Sequence, residues 1–584
     1  MKMRSFSRVL VMVGAAVSTT ASFLPFQPDP QRIATRSPDL EVFDQTLDAL
    51  SVMQDEFFAP WIGTWPTSID WTAAVMGTHV SGTLTSLSLG LELLRGAEDY
   101  SAKENLISLY FSQVLSYYFG MDHFAIRNEA YDDILWVVLG WLETLQFIDL
   151  HSGLHYPPGW PKAEGISEIL RNQTWHGSIW IPAFSHRSRV FWDLAEKGWD
   201  TDLCDGGMTW NPRLEPYKNA ITNELYIAAS ISMYLYSPGD NNGSPFIQDD
   251  LSSSLDNGDV LPPQPPHDTR HLIAAVDGYE WLLRSGMMNR QGLYIDGFHI
   301  SNWHNPSRPR KDCDVPNRMV YSYNQGVLLT GHIGLWKVTG DHRFLADGHR
   351  LIQNVIRATG YDLERDRPIH EDPDDGLPEW QGLGRFGVLE DLCDIKGDCS
   401  QNGQTFKGIF FHHLATFCAP LEIASRRAVP TMHKDACKAY LGWLRHNAAA
   451  AVATRNSEGK FGMWWTIGLL NMTSVPEDVD RDARQDPDAV DYRNYGVPND
   501  ELWVLTDANL PPSSGPAEDS PYGSATDQDS LNSRKRRSSN RPSPRFSQSS
   551  TKEQDLNDRG RGRTVETQGS GLALLRALWE ISSR

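Results

Sequence analysis

Two adjacent aspartates, Asp132 and Asp133, open a strongly apolar stretch in which Trp136 follows one helical turn later. Consecutive helical residues point about 100° apart, so two such carboxylates can face one cleft from adjoining sides. Glycosidic hydrolysis with retention of configuration needs carboxyl groups roughly 5–5.5 Å apart, one as nucleophile and one as acid/base. Crowding would raise the pKa of one carboxyl, as the acid requires. The tryptophan offers a face on which a sugar ring can stack.

The aspartate pair also has a purely structural explanation. Acids are common in the first turn of a helix, because they complement the helix dipole and cap free N–H groups. Taken alone, the pair favours this explanation. A catalytic role therefore depends on whether other polar clusters come together with it.

A second cluster begins with two glycines shortly before Trp210, and Lys218, Asn219 and Asn223 lie at the start of the next predicted helix. Glycine lets the backbone approach a ligand or another chain closely. The two asparagines are four residues apart and share one helix face. They suit the hydroxyl groups of a sugar, and they suit helix capping and buried polar packing equally well.

Two further clusters are weaker. Tyr323, Asn324 and Gln325 again combine polar and aromatic groups at the start of an apolar helix. Trp464 belongs to an aromatic group around a glycine, at 461–465. Either cluster can line a groove or belong to the core. Most of the clusters lie where a loop enters a helix, and a ring of helical hairpins would gather such points at one end.

The net charge and the amino-terminal segment limit the partners. The formal charge is −21, from 53 basic and 74 acidic residues, which argues against a nucleic-acid or anionic-membrane partner. Residues 1–22 have a basic start, a short apolar run and small residues near a cleavage point, which is typical of a signal peptide. No later stretch is predicted to span a membrane, and the chain ending at 579–584 does not resemble a GPI-anchor signal.

The cysteine pattern fits secretion. An even number of cysteines in an oxidising compartment favours disulfides, and the six are Cys204, Cys313, Cys393, Cys399, Cys418 and Cys437. The close pair at 393 and 399 can close a small loop, and the pairing of the other four stays open. His151/His155 and His267/His271 lack a nearby third ligand, so no metal is expected. Glycosylation sequons occur at Asn172, Asn242 and Asn471.

Apolar residues recur at three- and four-residue steps over most of the chain, which predicts an all-α fold. The predicted helices cover 41–58, 71–94, 102–118, 129–148, 184–197, 217–236, 270–285, 323–337, 342–358, 406–424, 434–453 and 567–581. Residues 293–301 are the best strand candidate. A solenoid of hairpins and a closed toroid both fit this pattern, although the lack of a constant repeat weakens the solenoid.

The organisation predicted from the sequence has four parts. Residues 1–22 are the signal peptide, 38–505 the catalytic domain, 506–565 a disordered low-complexity insertion and 566–584 a final helix that packs back on the domain. The insertion contains the basic cluster 534–537, which is either a protease processing site or a solvated linker.

The polar and aromatic clusters described above resemble segments of glycoside hydrolase family 76, the endo-α-1,6-mannanases and their fungal cell-wall relatives. The matching segments are 131–133 with Trp136, 206–210, 218–225, 323–326, 406–410 and 566–568. The resemblance covers roughly 39–505 and the final helix. The 218–221 and 323–326 segments in this order are the specific part of it, whereas the aspartate pair alone is not.

The resemblance implies an (α/α)6 barrel and retaining hydrolysis of α-1,6-mannosidic bonds, without cofactor or metal. By match, Asp132 is the nucleophile and Asp133 the acid/base. Trp136, Trp210, Lys218, Asn219, Asn223, Tyr323, Asn324, Gln325 and Trp464 are the predicted substrate-binding residues. The chain departs from the family in the insertion and in a long stretch between Asp133 and the glycine pair, which bears on substrate length.

We therefore expect a secreted, extracellular or wall-associated, monomeric endo-mannanase. Two alternatives stay open: a cell-wall transglycosylase that acts on mannosyl or GPI glycans with the same residues, and a barrel that binds mannan without cleaving it. Free reducing ends accumulate with hydrolysis, chain lengths redistribute with transfer, and neither changes with binding alone.

Overall fold

The structure is a computed structural model that describes residues 39–94, 100–121, 130–156, 174–244, 261–303, 310–370, 376–421, 428–475, 488–494 and 555–583. The predicted signal peptide, the sequon Asn172 and the basic cluster 534–537 lie outside these residues. The other two sequons, Asn242 and Asn471, are exposed.

Helices make up most of the described residues. They are α1 (Leu40–Phe57), α2 (Asp70–Leu89), α3 (Tyr100–Gly120), α4 (Tyr131–His155), α5 (Ile181–Ala195), α6 (Ala220–Tyr236), α7 (Thr269–Arg284), α8 (Ser322–Thr339), α9 (His342–Ala358), α10 (Leu392–Lys396), α11 (Gln401–Phe417), α12 (Ala428–Lys438), α13 (Leu441–Ala453) and α14 (Val565–Ser583). Short 3₁₀ turns cover Leu91–Leu93, His176–Trp180, Glu196–Gly198, Trp465–Leu469 and Leu556–Asp558.

The described strands are short and lie between the helices. They are β1 (Tyr217–Asn219), β2 (Gly297–His299), β3 (Val315–Asn317), β4 (Tyr361–Asp362), β5 (Arg367–Pro368), β6 (Gly384–Arg385) and β7 (Val388–Leu389). The first three form an antiparallel sheet in the order β1-β2-β3, with Lys218 opposite Phe298 and Phe298 opposite Pro316. The other four form two antiparallel pairs, β4-β5 and β6-β7.

Six helices form a closed inner ring. Each of α2, α4, α6, α8, α11 and α14 packs against the next, and α14 closes the ring against α2. Six more lie outside: α3 packs on α2, α5 on α4, α7 on α6, α9 on α8, and both α1 and α13 on α14. Outer and inner helices therefore alternate along the chain as six hairpins, and the predicted (α/α)6 barrel is confirmed.

Residue composition explains which helices lie inside. Nearly all side chains of α6, α8, α11 and α14 are buried, which is typical of helices enclosed on every side. The outer helices α7 and α9 bury one face only. Small residues bring the inner helices together: a Cβ added to Gly326 of α8 would lie 2.6 Å from the Cα of Phe410 in α11.

Helix α4 has 25 residues and is long and apolar enough to cross a membrane. It is an inner helix of the barrel, and its most apolar window is 78% buried inside the protein. The core of the barrel therefore accounts for its composition.

Several element boundaries differ from the prediction. Residues 217–219 form β1 instead of the first turn of α6, since their backbone groups pair with β2. The predicted strand at 293–301 contains β2, as expected. The helix predicted at 406–424 begins earlier, at Gln401, because Ser400 caps it by accepting a hydrogen bond from the N–H of Gly403. The stretch predicted as one helix at 434–453 is divided between α12 and α13.

The prediction that the disordered insertion extends to residue 565 is wrong for its last residues. Most of 506–565 lies outside the described residues, but 555–565 is packed. Asn557 is buried and its side chain accepts a hydrogen bond from the backbone N–H of Trp464 at 2.8 Å, while Arg563 donates to the carbonyl of Thr454 at 2.9 Å. This low-complexity sequence is ordered because its polar side chains find partners at the ends of other elements.

All six cysteines are paired, as Cys204–Cys313, Cys393–Cys399 and Cys418–Cys437. The predicted disulfides, including the small 393–399 loop, are present. The first pair joins the loop that carries Trp210 to the segment before β3, across 109 residues.

The long disulfide should matter most for stability. Because a crosslink restricts the unfolded chain more when it closes a longer loop, we expect the double variant C204A/C313A to lower the free energy of unfolding by about 2–4 kcal/mol. C393A/C399A, which opens a loop of six residues, should lose about 2 kcal/mol less. Denaturant unfolding measures both, and equal losses would contradict the loop-length argument.

Candidate active site

The inner helices α2, α11 and α14 begin at one end of the barrel and are tied together there. One carboxylate oxygen of Glu566, in the first turn of α14, accepts hydrogen bonds from the hydroxyl of Thr72 at 2.8 Å and from the amide of Gln401 at 2.7 Å. Beside them, the indole N–H of Trp71 donates to the side-chain oxygen of Asn402 at 2.8 Å. The starts of three inner helices are thus fixed by buried side chains.

Backbone hydrogen bonds bring α4 and α6 to the same end. The N–H of Tyr131, the first residue of α4, donates to the carbonyl of Trp210, whose own N–H donates to the carbonyl of Tyr217 in β1, both at 2.9 Å. The N–H of Ala220, the first residue of α6, donates to the carbonyl of Asp296 at 2.8 Å. The aspartates of α4 therefore lie beside the second cluster, as the hairpin ring predicts.

The buried carboxylate of Asp296 holds the small sheet beside the site. It accepts hydrogen bonds from the phenol of Tyr217 in β1 and from the amide of Asn317 in β3, the latter at 3.2 Å. Burial raises the pKa of Tyr217 well above its usual range, and the neighbouring Asp296 raises it further. This tyrosine therefore stays protonated and donates permanently.

Asp132 and Asp133 occupy the first turn of α4, and their environments differ. The side chain of Asp132 is 7% exposed, whereas Asp133 is half-buried. The backbone N–H of Asp133 donates to Oδ1 of Asp132 at 3.2 Å. The helix start thus presents one deep carboxyl and one shallow carboxyl side by side.

Burial is the main influence on the deeper carboxyl. Loss of solvent raises the pKa of Asp132 to about 6, while Arg493 and a hydrogen bond from the side chain of Trp210 act in the opposite direction. The sequence predicted that crowding between the aspartates would raise one pKa. The cause is burial instead, and the raised pKa belongs to the residue assigned as nucleophile.

Residues 488–494, which we call the cover segment, bring Arg493 close to Asp132. Nη2 of Arg493 is 3.9 Å from Oδ2 of Asp132, and the guanidinium carbon lies 4.9 Å from the centre of the Trp210 ring. Tyr323, which lies near both Arg493 and Asp132, stacks its ring on Phe406 with centroids 3.9 Å apart. The deep carboxyl thus lies within a group of aromatic rings and one cation.

Three of the predicted substrate-binding residues serve the fold instead, and their assignment is corrected. Lys218 is fully buried and donates to the carbonyl of Gly207 at 2.6 Å. Asn223 bonds both the N–H and the carbonyl of Met208, which fixes the loop that carries Trp210. Gln325 bonds the N–H and the carbonyl of Tyr294 in the same way. Their polar groups are therefore occupied by backbone.

Two predicted stacking residues also belong to the core. Trp136 is 4% exposed and its ring stacks on Trp71, with centroids 5.6 Å apart. Trp464 is fully buried and its indole donates to Glu390 at 2.8 Å. Neither ring has a face open to a sugar, so both assignments are corrected. Large aromatic side chains fill cores as readily as they line grooves, and sequence does not separate the two uses.

Of the remaining predicted residues, Asn219, Tyr323 and Asn324 are buried, and Trp210 is half-buried. Trp210 is half-buried against Arg493. Asn219 caps α6, with its side chain accepting from the N–H of Thr222 at 3.2 Å. Among the described residues, neither the amide N–H₂ of Asn219 nor either amide atom of the buried Asn324 has a hydrogen-bond partner.

Sequence reasoning missed Asp296 and Arg493. Asp296 falls within the predicted strand at 293–301 but was given no role. Arg493 lies in the aromatic and charged run 491–494, between segments with no helical pattern. That run is the only signal in the sequence, since contacts with distant elements bring both residues to the site.

Two described side-chain groups have the spacing of metal ligands, namely His349, His433 and Cys437, and Cys393, Asp394 and Cys399. In both groups the cysteines are in disulfides, so their sulfurs are not thiolates. Neither group enters the chemistry below.

Comparisons with known proteins support the family resemblance over part of the chain. The family described as Glycosyl hydrolase family 76 matches residues 267–478, so the resemblance predicted from the sequence is confirmed over this part of the chain. No curated protein matches the chain.

Several solved structures are similar to it. An alpha-1,6-mannanase from Salegentibacter is 15% identical over 73% of this chain and 91% of its own, with a TM-score of 0.42. Dfg5 from Chaetomium thermophilum, in complex with glucosamine, is 16% identical over 74% and 84%, with a TM-score of 0.44. A family 76 mannosidase from Bacteroides thetaiotaomicron is 14% identical over 72% and 90%, with a TM-score of 0.42.

Proposed function

We propose that this glycoside hydrolase of family 76 cleaves α-1,6-mannosidic bonds in mannan with retention of configuration. The observation that carries the proposal is the pair of adjacent carboxyls, Asp132 and Asp133, at the start of an inner helix. They lie at the end of the barrel where the other inner helices and the small sheet converge. One carboxyl is deep and the other shallow.

The two carboxyls divide the reaction between them. The carboxylate of Asp132 attacks the anomeric carbon while Asp133 gives its proton to the departing glycosidic oxygen, which leaves a mannosyl ester on Asp132. Asp133, now ionised, takes a proton from water as that water attacks the anomeric carbon. The ester bond breaks, Asp132 returns to its carboxylate form, and Asp133 is protonated again.

Their unequal depth supports this division by access to solvent, although the raised pKa lies on the nucleophile, Asp132, and not on the acid/base. A nucleophile approaches the sugar from beneath, and Asp132 is enclosed by Trp210 and Arg493. An acid/base must reach the leaving group and then water, and Asp133 is nearer to solvent. The aromatic surroundings suit a neutral sugar, whose rings bind through apolar faces.

The direct test is incubation of the full chain with linear α-1,6-mannan, followed by sizing of the products. Internal cleavage produces a ladder of shorter oligosaccharides and a rise in reducing ends, and NMR shows the first-formed product with the α configuration. Redistribution of chain lengths without new reducing ends would assign the transglycosylase instead. Binding of mannan with no change in its length would assign a lectin-like barrel and end the proposal.

We expect the activity to fall on the acid side of about pH 6. The nucleophile must be ionised, and the pKa of Asp132 is raised to about 6. Because kcat/KM reports the ionisation of the free enzyme, its acid limb should lie near that value. A pH profile of kcat/KM on a soluble mannan oligosaccharide measures it. A limb near pH 4, the usual range of an exposed aspartate, would show that Asp132 is not the titrating group.

We also propose that the protein acts outside the cell. Support comes from the amino-terminal sequence pattern, the three disulfides and the exposure of Asn242 and Asn471. Expression of the full chain in a secretory host tests this proposal. Recovery from the medium with a mass that falls on N-glycan removal supports it, and retention in the cytosol contradicts it.

A further inference from the structure

We propose that Arg493 of the cover segment is a positioning residue for Asp132, which it holds in place and in its ionised form. The inference rests on the proposed function for its catalytic meaning only. The geometry that carries it is a guanidinium whose Nε and Nη2 are buried, whose Nη2 lies 3.9 Å from Oδ2 of Asp132 and whose central carbon lies 4.9 Å from the centre of the Trp210 ring.

The cover segment is anchored to the starts of inner elements. The carbonyl of Arg493 accepts hydrogen bonds from the hydroxyl of Ser400 at 2.8 Å and from the amide of Asn402 at 3.3 Å. The side-chain oxygen of Asn494 accepts from the backbone N–H of Ser400 at 2.8 Å. The backbone that carries the guanidinium is therefore fixed to the beginning of α11.

Anchors on the other side of Arg493 complete the attachment. Asn317 of β3 bonds both the N–H and the carbonyl of Val490, each at 2.9 Å. The phenol of Tyr321 donates to Asp491 at 2.7 Å. With attachments to α11, β3 and the residue before α8, the segment belongs to the wall of the site, and Arg493 is held toward Asp132 by both flanks.

The charges around the pair favour this role. Asp133 lies next to Asp132 on α4, and Tyr323 faces the pair from α8. Asp296, just before β2, and Tyr321, just before α8, act on the guanidinium. Arg493 is the cation among these groups that lowers the pKa of Asp132 against the effect of burial. A carboxylate enclosed by aromatic rings and other acids would take up a proton without it.

The guanidinium also has unused donors. Among the described residues, Nε and Nη2 of Arg493 have no hydrogen-bond partner. A distance of 3.9 Å to Asp132 is too long for a hydrogen bond, so the ion pair acts through charge and leaves these N–H groups available. In the second chemical step, the same charge would stabilise the carboxylate as it leaves the mannosyl carbon.

The variant Arg493→Gln removes the charge and keeps a polar side chain. We expect the acid limb of the kcat/KM profile to move upward by about one pH unit or more. Activity should then fall roughly tenfold at pH 5 and much less at pH 8, because each unit of pKa changes the ionised fraction tenfold below the limb. Arg493→Lys, which restores the charge, should return most of the shift.

The matched control is Arg318→Gln. Arg318 contacts the same segment through an ion pair with Asp488 at 3.6 Å, but its side chain is 47% exposed. Its profile should match that of the wild type. A uniform loss of activity in Arg493→Gln with an unmoved acid limb would overturn the inference. A gain of activity at every pH would also overturn it, because it would show that the cover segment blocks the site.

A readout without turnover separates this inference from the proposed function. In protein labelled with ¹³C at the aspartate carboxyl carbons, Asp132→Asn identifies the Asp132 resonance. Its titration midpoint should rise in Arg493→Gln and largely recover in Arg493→Lys. If wild-type protein does not cleave mannan but the midpoint shifts, the function fails and the positioning role stands. If the wild-type protein cleaves mannan but the midpoint does not move in Arg493→Gln, the proposed function stands and the positioning role of Arg493 fails.

Discussion

Asp132→Asn and Asp133→Asn should each leave a folded protein with almost no activity on α-1,6-mannan. Loss of the acid/base lowers turnover by about 10²–10⁴-fold, and loss of the nucleophile should cost at least as much, because no covalent intermediate can form. The fold should survive, because Asp132→Asn exchanges a carboxyl that burial already disfavours in its charged form for a neutral amide of the same shape. Product sizing and circular dichroism measure the two effects.

The two variants should differ on an activated substrate. A dinitrophenyl glycoside of α-1,6-mannobiose has a leaving group that departs without protonation, so Asp133→Asn should release dinitrophenol in a burst and then stall at the glycosyl ester. Asp132→Asn should show no burst. The reverse pattern would exchange the two roles, and wild-type turnover by either variant would remove the pair from the mechanism.

Glu41→Gln is the control for both variants. Glu41 also lies in the first turn of a helix, but on the exposed outer helix α1. If the aspartates served only to complement a helix dipole, all three substitutions would have similar, small effects of roughly 0.3–1 kcal/mol on stability and none on activity.

The largest effect on stability is expected for Lys407→Met. Lys407 of α11 forms a fully buried ion pair with Asp394 of α10, next to Asp391, whose carboxylate accepts hydrogen bonds from the N–H and hydroxyl of Ser322 at the start of α8. Removing one partner of a buried pair leaves an uncompensated charge and costs about 3–5 kcal/mol. Denaturant unfolding at pH 8 measures the loss.

The pH dependence of the stability loss in Lys407→Met gives a second check on the buried ion pair. Burial raises the pKa of Asp391 to about 6 and that of Asp394 to about 7, and Lys407 opposes both increases. Without the lysine both values rise further, so the folded state takes up protons more readily as the pH falls. The destabilisation should therefore be largest at pH 8 and shrink toward pH 5, and a loss that grows toward pH 5 would contradict this account.

Two comparisons isolate the pair. Lys407→Met/Asp394→Asn removes both charges and should recover part of the lost stability. Arg284→Met breaks the exposed ion pair with Glu280 on α7, and an exposed pair of this spacing contributes only about 0.3–0.5 kcal/mol. Similar losses for Lys407→Met and Arg284→Met would show that burial of the Lys407 pair has no special effect.

Local patterns predicted the helices and the position of the aspartates. Apolar periodicity located most helix centres, and the first-turn placement of Asp132 follows from the apolar run after it. Periodicity could not separate a toroid from a solenoid, because both bury the same helix faces. Ring closure depends on contacts of α14 with α1 and α2, which lie hundreds of residues away in sequence.

The sequence predicted only part of the site, because the rest depends on contacts between residues that are distant in sequence. Asp132, Trp210 and Tyr323 are close together because they begin inner helices or precede one, a rule that sequence supports. Trp464 was misassigned because an aromatic cluster has the same composition in a core as in a groove. Arg493 was missed because its role depends on anchors such as Asn317 and Ser400, and no local pattern records them.

The position of α14 constrains how the chain can fold as it is made. Its partners α1, α2 and α11 precede α14 in the chain, so the parts of their surfaces that α14 covers stay open until α14 is made. A nascent chain must keep these surfaces from associating with other chains until α14 is made. Truncation ahead of α14 would make that exposure permanent, so we expect a chain without this helix to aggregate.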